Sequence, residues 1–191
     1  MAERRTSRTA ESFKSQVSDL EPDACPWLEP GPLGENLRVE DFPTFILLRL
    51  ANSAKVHLTR RYLDQFGISL PEWRLLALTA RFSPLPFGEV ALRSSMDKGQ
   101  VSRTLQIIRR KGLVRINAVN ATKRPRGGTT APRIEVFVTP KGRALCQKIV
   151  PVARKHQMRL LALMSTKERQ IFYSVCRRMM EQLPLLAEDQ D

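Results

Sequence analysis

The chain has 191 residues, with 32 Lys/Arg against 19 Asp/Glu and a formal net charge of +13, and this length can bury a sizeable core. Its three cysteines, Cys25, Cys146 and Cys176, are too few and too far apart for a disulfide scaffold or a zinc motif. The sequence has no apolar run long enough to span a membrane, and its charged start lacks the apolar core of a signal peptide. We therefore expect a cytoplasmic protein with no metal, no other cofactor and no membrane partner.

The charge is distributed unevenly along the chain. Residues 1–36 carry 4 Lys/Arg against 7 Asp/Glu, or −3, whereas residues 37–191 carry 28 against 12, or +16. Within the second part, residues 93–133 hold 11 basic side chains and a single acidic one, Asp97. A basic field concentrated on one stretch is the electrostatic footprint of a protein that binds nucleic acid.

The first third of the chain is predicted to be an arm followed by helices. Residues 1–36 indicate a flexible N-terminal arm, because polar residues and prolines dominate it. Residues 41–66 carry apolar side chains at helical spacing and predict one long helix. The next helix is predicted to begin after Ser69, with Glu72 completing a capping box. Its inward-facing residues are predicted to be Trp73, Leu76, Ala77 and Ala80.

The rest of the chain is organised around residues 87–114, which predict two short helices joined by a break at 94–96. Asp97 is predicted to cap the second helix in a capping box with Gln100, and Gly112 to end it. The stripe that faces the core consists of Val101, Leu105 and Ile108. The other faces carry Lys98, Gln100, Ser102, Arg103, Gln106, Arg109 and Arg110. Such a helix pair suits insertion of the second helix into a DNA major groove.

A basic hairpin is predicted to follow. Residues 114–119 and 134–138 have the composition of two strands, and the loop between them is rich in Lys and Arg. Helix, turn, helix and hairpin together make a winged helix-turn-helix. The fold class predicted is therefore mainly α with a small β-hairpin wing, comprising a winged helix-turn-helix domain and flanking helices.

Two further helices are predicted after the wing. Thr139 is expected to cap the first, and Pro151 to kink or interrupt it. Ser165 and Glu168 form a third predicted capping box, and the last helix is expected to run to Pro184. Its inward face is predicted to consist of Ile171, Phe172, Val175, Met179 and Leu183.

Four segments, taken in this order, resemble the MarR family of transcriptional regulators, the multiple-antibiotic-resistance type. They are ISLPEWRLLALTA (68–80), MDKGQVSRTLQIIRRKGLV (96–114), VTPKGRAL (138–145) and STKERQ (165–170). The resemblance extends from about residue 37 to residue 186. It implies a helical dimerisation region at 37–66 and 140–186, and a winged helix-turn-helix DNA-binding domain at 67–139.

The resemblance also implies a two-fold homodimer whose two recognition helices enter successive major grooves of a pseudo-palindromic operator in double-stranded DNA. The candidate residues for DNA contact are Lys98, Gln100, Ser102, Arg103 and Gln106 on the helix, and Lys123, Arg124 and Arg126 in the wing. Gln100 could pair with adenine, and Arg103 with guanine or phosphate. The wing departs from the family pattern, because residues 130–133 lack the Asp that usually stands two residues before Arg133.

Members of this family commonly bind small anionic molecules, often aromatic or acyl, between the dimer helices and the DNA-binding domain. Binding alters the spacing of the recognition helices and releases the operator, so the resemblance implies a ligand-responsive repressor. The candidate ligand-binding residues are Arg49, His57, Trp73 and Arg74.

Two alternatives stay open from the sequence. One is a sequence-tolerant architectural DNA-binding protein, suggested by the strongly basic body. The other is a redox-sensing regulator that uses Cys25, which precedes the first long helix. An enzyme is not expected, because Asp97 stands alone among basic residues, while phosphodiester chemistry usually requires clustered acids to hold metal ions.

Overall fold

The computed structural model describes residues 25–119 and 133–186, and it divides the chain into two compact units, residues 1–52 and 53–191. Most of the arm predicted at 1–36 lies outside the described residues. So do the wing-loop cations Lys123, Arg124 and Arg126. The predicted fold class is confirmed: the protein is mainly α-helical, with one small antiparallel sheet.

The first unit consists of turns, a 3-10 turn at Val39–Asp41 and helix α1 (Pro43–Ser53). The Trp27 indole N–H donates to the carbonyl oxygen of Asp41 at 2.6 Å, so the tryptophan is anchored within its own unit. In this described part of the chain α1 buries none of its residues. Its most exposed apolar side chains are Phe45, Leu47, Leu48 and Leu50.

The predicted long helix at 41–66 is present as one helical run from Pro43 to Phe66, but it is not α-helical throughout. After α1 the chain forms a π-helical segment (Ala54–Thr59), then helix α2 (Arg60–Leu63) and a 3-10 turn (Asp64–Phe66). A π turn adds a residue to the helical repeat and so shifts the direction of the side chains that follow. The side chains buried directly after this shift are those of Tyr62 and Leu63, and Gly67 ends the run at φ +61°.

Helix α3 (Leu70–Phe82) begins at the predicted capping box. The Glu72 N–H donates to the Ser69 hydroxyl at 3.4 Å, and the Ser69 N–H donates to Oε2 of Glu72 at 2.6 Å. The predicted inward face is partly wrong. The fully buried residues are Leu75, Leu76 and Thr79, while Trp73, Ala77 and Ala80 are half-buried. The helix therefore presents a second, shallower face, which lines a cleft.

The helix-turn-helix is confirmed. Helix α4 (Phe87–Ser94) is followed by a break at Ser95, which takes a left-handed backbone conformation with φ +53°. Helix α5 (Lys98–Arg110) follows, and Gly112 leaves it at φ +72°. Such a backbone conformation favours glycine, which explains why the helix ends there.

The sheet has three antiparallel strands in the order β1-β3-β2: β1 (Leu85–Pro86), β2 (Val114–Val119) and β3 (Arg133–Val138). The predicted hairpin is confirmed, with Val114 opposite Val138. Strand β1 was not predicted, because a two-residue strand that contains a proline has no alternating pattern. It lies at the edge of the sheet, where proline is tolerated.

Helices α6 (Pro140–Leu161) and α7 (Thr166–Leu186) complete the chain. The interruption expected at Pro151 does not occur, since α6 contains this proline within one continuous helix. The expected end at Pro184 is also wrong, because α7 continues to Leu186. Gly142 packs so closely against Leu113, the residue before β2, that a Cβ at this position would overlap the carbonyl oxygen of Leu113.

One hydrophobic core holds the second unit together. It combines residues of α2 to α6 with strands β1 to β3, and its fully buried large side chains include Leu63, Leu75, Leu76, Leu105, Ile108 and Ile149. By contrast, none of the described side chains of α7 is buried. The core therefore fixes α5 in place, and α7 leaves its apolar residues exposed.

Candidate nucleic-acid interface and adjoining cleft

Helix α5 begins at a side-chain cap. The N–H of Gln100 donates to Oδ1 of Asp97 at 2.7 Å, and the N–H of Val101 donates to the Asp97 carbonyl oxygen at 2.9 Å. The predicted return bond from the Gln100 side chain is absent among the described hydrogen bonds, so only half of the capping box forms. The carboxylate lies where the positive end of the helix dipole favours a negative charge.

Helix α5 has one buried face and one exposed face. The buried side chains are those of Val101, Thr104, Leu105 and Ile108. The exposed residues are Lys98, Ser102, Arg103, Gln106, Ile107, Arg109 and Arg110. Four of the five DNA contacts predicted on the helix are thus on its exposed side, and the fifth, Gln100, is half-buried at the margin. The exposed face is basic and contains no acidic residue within the helix.

Arg103 has a defined position near the start of α5. A Cβ added at Gly99 would lie 3.3 Å from Nη1 of Arg103 and 3.2 Å from Oδ1 of Asp97. The guanidinium and the carboxylate therefore flank the same glycine. Because Gly99 has no side chain, Arg103 can extend along the helix towards its first turn.

The other end of α5 is bonded to two neighbouring elements. The ammonium of Lys111 lies 2.6 Å from Oε1 of Glu72 and donates to the Gly67 carbonyl at 3.0 Å. The Thr139 hydroxyl donates to the Gly112 carbonyl at 2.7 Å. Burial alone would raise the pKa of the Glu72 carboxyl, but the bonds from Lys111 and Ser69 outweigh it and hold that pKa below its usual value.

The described strands of the wing add two exposed cations. Arg115 belongs to β2 and Arg133 to β3, and both are exposed. The predicted wing contacts Lys123, Arg124 and Arg126 lie between these strands, outside the described residues. Each described strand of the wing therefore contributes one exposed cation, and β3 also carries the half-buried Glu135.

A cleft of about 460 Å³ lies between α3 and α6. Its apolar lining includes the half-buried Trp73, and its other apolar side chains are those of Ala77, Ala80, Cys146, Val150 and Pro151. Three arginines also line it: Arg81, Arg143 and Arg154. No acidic residue is among the described residues that line it. An indole with apolar neighbours and several guanidinium groups can bind a small aromatic anion.

Two of the cleft residues have distinct local environments. The guanidinium of Arg81 lies over the Phe82 ring, 5.1 Å from its centroid. Burial raises the pKa of the Cys146 thiol to about 11, although the positive charge of Arg143 opposes this shift. The thiol is therefore protonated at neutral pH and is a poor nucleophile.

The predicted ligand-binding residues are not brought together as a set. Of the four, only Trp73 lines this cleft; Arg74 and His57 are exposed and are not among its lining residues. Arg49 belongs to the first unit, where its guanidinium lies 6.0 Å from the Phe45 ring centroid. The exposed Cys25 also belongs to that unit.

Sequence reasoning missed the arginines of the cleft. On α6 the pattern was visible, since Arg143, Gln147, Val150 and Arg154 recur at helical spacing and so share one face. On α3 the spacing of Trp73, Ala77 and Arg81 gives the same signal. Neither pattern alone shows that the two faces meet.

Neither a metal site nor a membrane span is found in the structure. Within residues 25–119 and 133–186, no group of three or more His, Cys, Asp or Glu side chains could hold a metal ion. Within the same residues, every helix is too short or too polar to cross a bilayer.

The DNA-binding segment matches a known family. Residues 66–124 match the model of the MarR family, and these residues run from the end of the 3-10 turn into the wing. No curated protein matches the chain in sequence. The predicted resemblance is therefore confirmed through its central segment.

Solved structures share the fold over most of the chain. A MarR/EmrR-family transcriptional regulator from Acinetobacter sp. ADP1 has a TM-score of 0.67 at 20% identity, covering 78% of this chain and 99% of its own. Staphylococcus aureus MepR bound to DNA has a TM-score of 0.63 at 17% identity, covering 74% and 98%. Bordetella bronchiseptica BpsR, whose DNA binding is regulated by 6-hydroxynicotinic acid, has a TM-score of 0.61 at 19% identity, covering 73% and 99%.

Proposed function

We propose that this chain, whose residues 66–124 match the model of the MarR family, is a transcriptional regulator of that family: a cytoplasmic, homodimeric repressor that binds a pseudo-palindromic operator. A small anionic aromatic or acyl ligand releases it from DNA. Members of the family are transcription regulators and not enzymes, which agrees with the expectation from the sequence that this chain is not an enzyme. The observation that carries the proposal is α5, a helix that buries one apolar stripe and exposes a basic and polar face.

The exposed face of α5 supplies groups of two kinds. Gln100 and Arg103 are proposed to read bases, because amide and guanidinium groups form bidentate pairs with adenine and guanine in the major groove. Lys98, Ser102 and Gln106 are proposed to contact phosphate or base edges. The wing cations Lys123, Arg124 and Arg126 are proposed to lie along the minor groove or the flanking phosphates.

Homodimer formation is supported by two helices that leave their apolar residues uncovered. In the described part of the chain, α1 buries no residue, although it contains Phe45, Leu48 and Leu50. None of the described side chains of α7 is buried either: Ile171 is 53% exposed and Phe172 is 45% exposed. Exposed apolar side chains grouped on one helix mark protein contacts, and a second copy of the chain would cover them.

The cleft beside Trp73 is the proposed effector site. Its three arginines favour an anion, and the indole with its apolar neighbours favours an aromatic ring. The related BpsR, which responds to 6-hydroxynicotinic acid, provides a precedent for an aromatic carboxylate. For such a ligand to release DNA, it must bind more tightly to the DNA-free arrangement than to the DNA-bound one.

The test is binding of the purified protein to DNA from upstream of its own gene, compared with scrambled DNA of equal length, at two salt concentrations. We expect a preference of about a thousandfold for the upstream DNA. Salicylate and 6-hydroxynicotinate should then lower this affinity in the wild type, and less in an Arg143→Ala variant. The matched control is Arg159→Ala, which removes an exposed arginine of α6 that does not line the cleft.

The outcomes separate the proposal from its alternative. Equal affinity for both DNAs, with a steep salt dependence, would favour a sequence-tolerant architectural protein. Specific binding that responds equally to the ligand in Arg143→Ala and in the wild type would remove the effector from this cleft.

A further inference from the structure

A second cleft, also of about 460 Å³, lies where α5 ends and α6 begins. Its floor is apolar and largely shielded from solvent. Ile68 and Leu113 are each 3% exposed, and Phe66 and Leu145 are half-buried beside them. Volumes of this size are typical of sites that bind small molecules. It shares no lining residue with the cleft beside Trp73.

The rim of this second cleft is cationic. Lys111, Lys141 and Lys148 line it, and all three are exposed. No acidic residue is among the described residues that line it, although Glu72 pairs with Lys111 and offsets one of the three charges. Lys141 donates to the Lys111 carbonyl at 2.8 Å and keeps its charge. The rim therefore retains a net positive charge of about two above an apolar floor.

We propose that this second cleft binds a monocarboxylate with an apolar chain. The chain would lie on the floor formed by Phe66, Ile68, Leu113 and Leu145, and the carboxylate would bind the ammonium groups at the rim. An aliphatic tail suits the floor because burial of its methylenes removes apolar surface from water. A multiply charged and fully polar anion would gain nothing from that floor.

The position of the site gives such a ligand a structural consequence. Lys111 follows directly after the recognition helix, and its ammonium bonds to Glu72 and to Gly67. A carboxylate at the rim would compete with Glu72 for this ammonium. Occupancy of the second cleft would therefore alter the bonds that attach the end of α5 to the start of α3.

Octanoate is the probe, and binding to the full-length protein is measured by isothermal titration calorimetry without DNA. The result is thus independent of whether the protein is a repressor. We expect saturable binding of octanoate, with much weaker binding of octan-1-ol and none of octylammonium. Lys148→Gln should weaken octanoate binding by about fivefold, as expected for an exposed ion pair. The matched control is Lys155→Gln, an exposed lysine of α6 that does not line the cleft.

A second variant tests the apolar floor. Ala144 is exposed and lines the cleft, so Ala144→Trp should fill the cleft and abolish octanoate binding without disturbing the core. Circular dichroism checks that this variant is folded. Arg154→Ala alters only the other cleft and should leave octanoate binding unchanged.

Three results would overturn the proposal. One is the absence of saturable octanoate binding to the wild type. Another is an equal loss in Lys148→Gln and Lys155→Gln, which would indicate general attraction to a basic protein. The third is a loss in Arg154→Ala with none in folded Ala144→Trp, which would assign octanoate to the cleft beside Trp73.

Discussion

The ammonium of Lys111 lies 2.6 Å from Oε1 of Glu72, and this contact joins the residue after the recognition helix to the first turn of α3. Glu72 also completes the cap of α3 by accepting from the Ser69 N–H. One buried carboxylate therefore holds two helices at the same point. Among the described residues it is the one ion pair at the C-terminal end of α5, and it adds to the apolar core that fixes this helix.

The Glu72 contact predicts a dependence of stability on pH. Since the pKa of this carboxyl is lowered in the folded protein, its stabilising effect is complete above the usual value near 4.5 and is lost as pH falls through the lowered value. The free energy of unfolding should therefore fall more steeply below about pH 5 in the wild type than in Glu72→Gln. Urea unfolding across pH 3–7 measures this, with the exposed Glu181→Gln as control. Parallel profiles for wild type and Glu72→Gln would contradict the prediction.

Arg103 should contribute to operator binding. Replacing Arg103 with Ala is expected to weaken binding by about 1–3 kcal/mol, because the guanidinium is exposed on α5 and can reach a base or phosphate. Fluorescence anisotropy with labelled operator DNA measures the change. Arg159→Ala, an exposed arginine of α6, is the control. Unchanged affinity in Arg103→Ala would remove this residue from the DNA interface.

The apolar face of α7 should be required for association of two chains. Phe172 is 45% exposed in the single chain, and Phe172→Glu would place a charge in the proposed contact between subunits. We expect this variant to be monomeric, or to dissociate at much lower protein concentration, in light scattering coupled to size exclusion. Ser174→Glu is the matched control, because it adds the same charge on roughly the opposite side of the helix. A dimer of unchanged affinity in Phe172→Glu would show that this side chain lies outside any interface.

The three cysteines should react at different rates. Cys25 is exposed, whereas Cys146 is buried and its pKa is raised to about 11, so few Cys146 thiolates exist at pH 7.5. Iodoacetamide should therefore modify Cys25 first and Cys146 last, as followed by mass spectrometry of peptides. Equal rates at all three positions in the folded protein would contradict this order. In urea the difference should vanish, because unfolding removes the burial.

Local signals predicted most of the fold. Capping residues at Ser69, Asp97, Thr139 and Ser165 gave four helix starts correctly, because a side-chain oxygen placed before an apolar run satisfies backbone N–H groups within a single turn. The buried stripe of α5 was also predicted, since helical periodicity is a local property. Such signals need only a few neighbouring residues.

Most of the features that the sequence did not predict depend on contacts between distant parts of the chain. Thr79 was not predicted as a core residue because its side chain is polar. It can be buried because its hydroxyl donates to the Leu75 carbonyl at 2.7 Å. The edge strand at Leu85 exists only through pairing with Val136, far along the sequence. The same holds for the arginines of the cleft, which lie together because α3 packs on α6. Pro151 was expected to kink or interrupt its helix, and α6 continues through it without interruption.

The close contact at Gly142 holds α6 near one of its ends. At this glycine the helix lies so close to Leu113, the residue before β2, that a methyl group would not fit. The helix can therefore tilt about this contact, which lies near its N-terminal end. From Gly142 to Leu161 the helix extends for about 28 Å, so a tilt of about 5° at this contact would displace the far end of α6 by about 2.5 Å. Conversely, a displacement of a few ångströms at Leu161 would correspond to a rotation of only a few degrees at Gly142, beside the segment that joins α5 to β2. Gly142 is therefore the point about which α6, the longest helix among the described residues, would tilt.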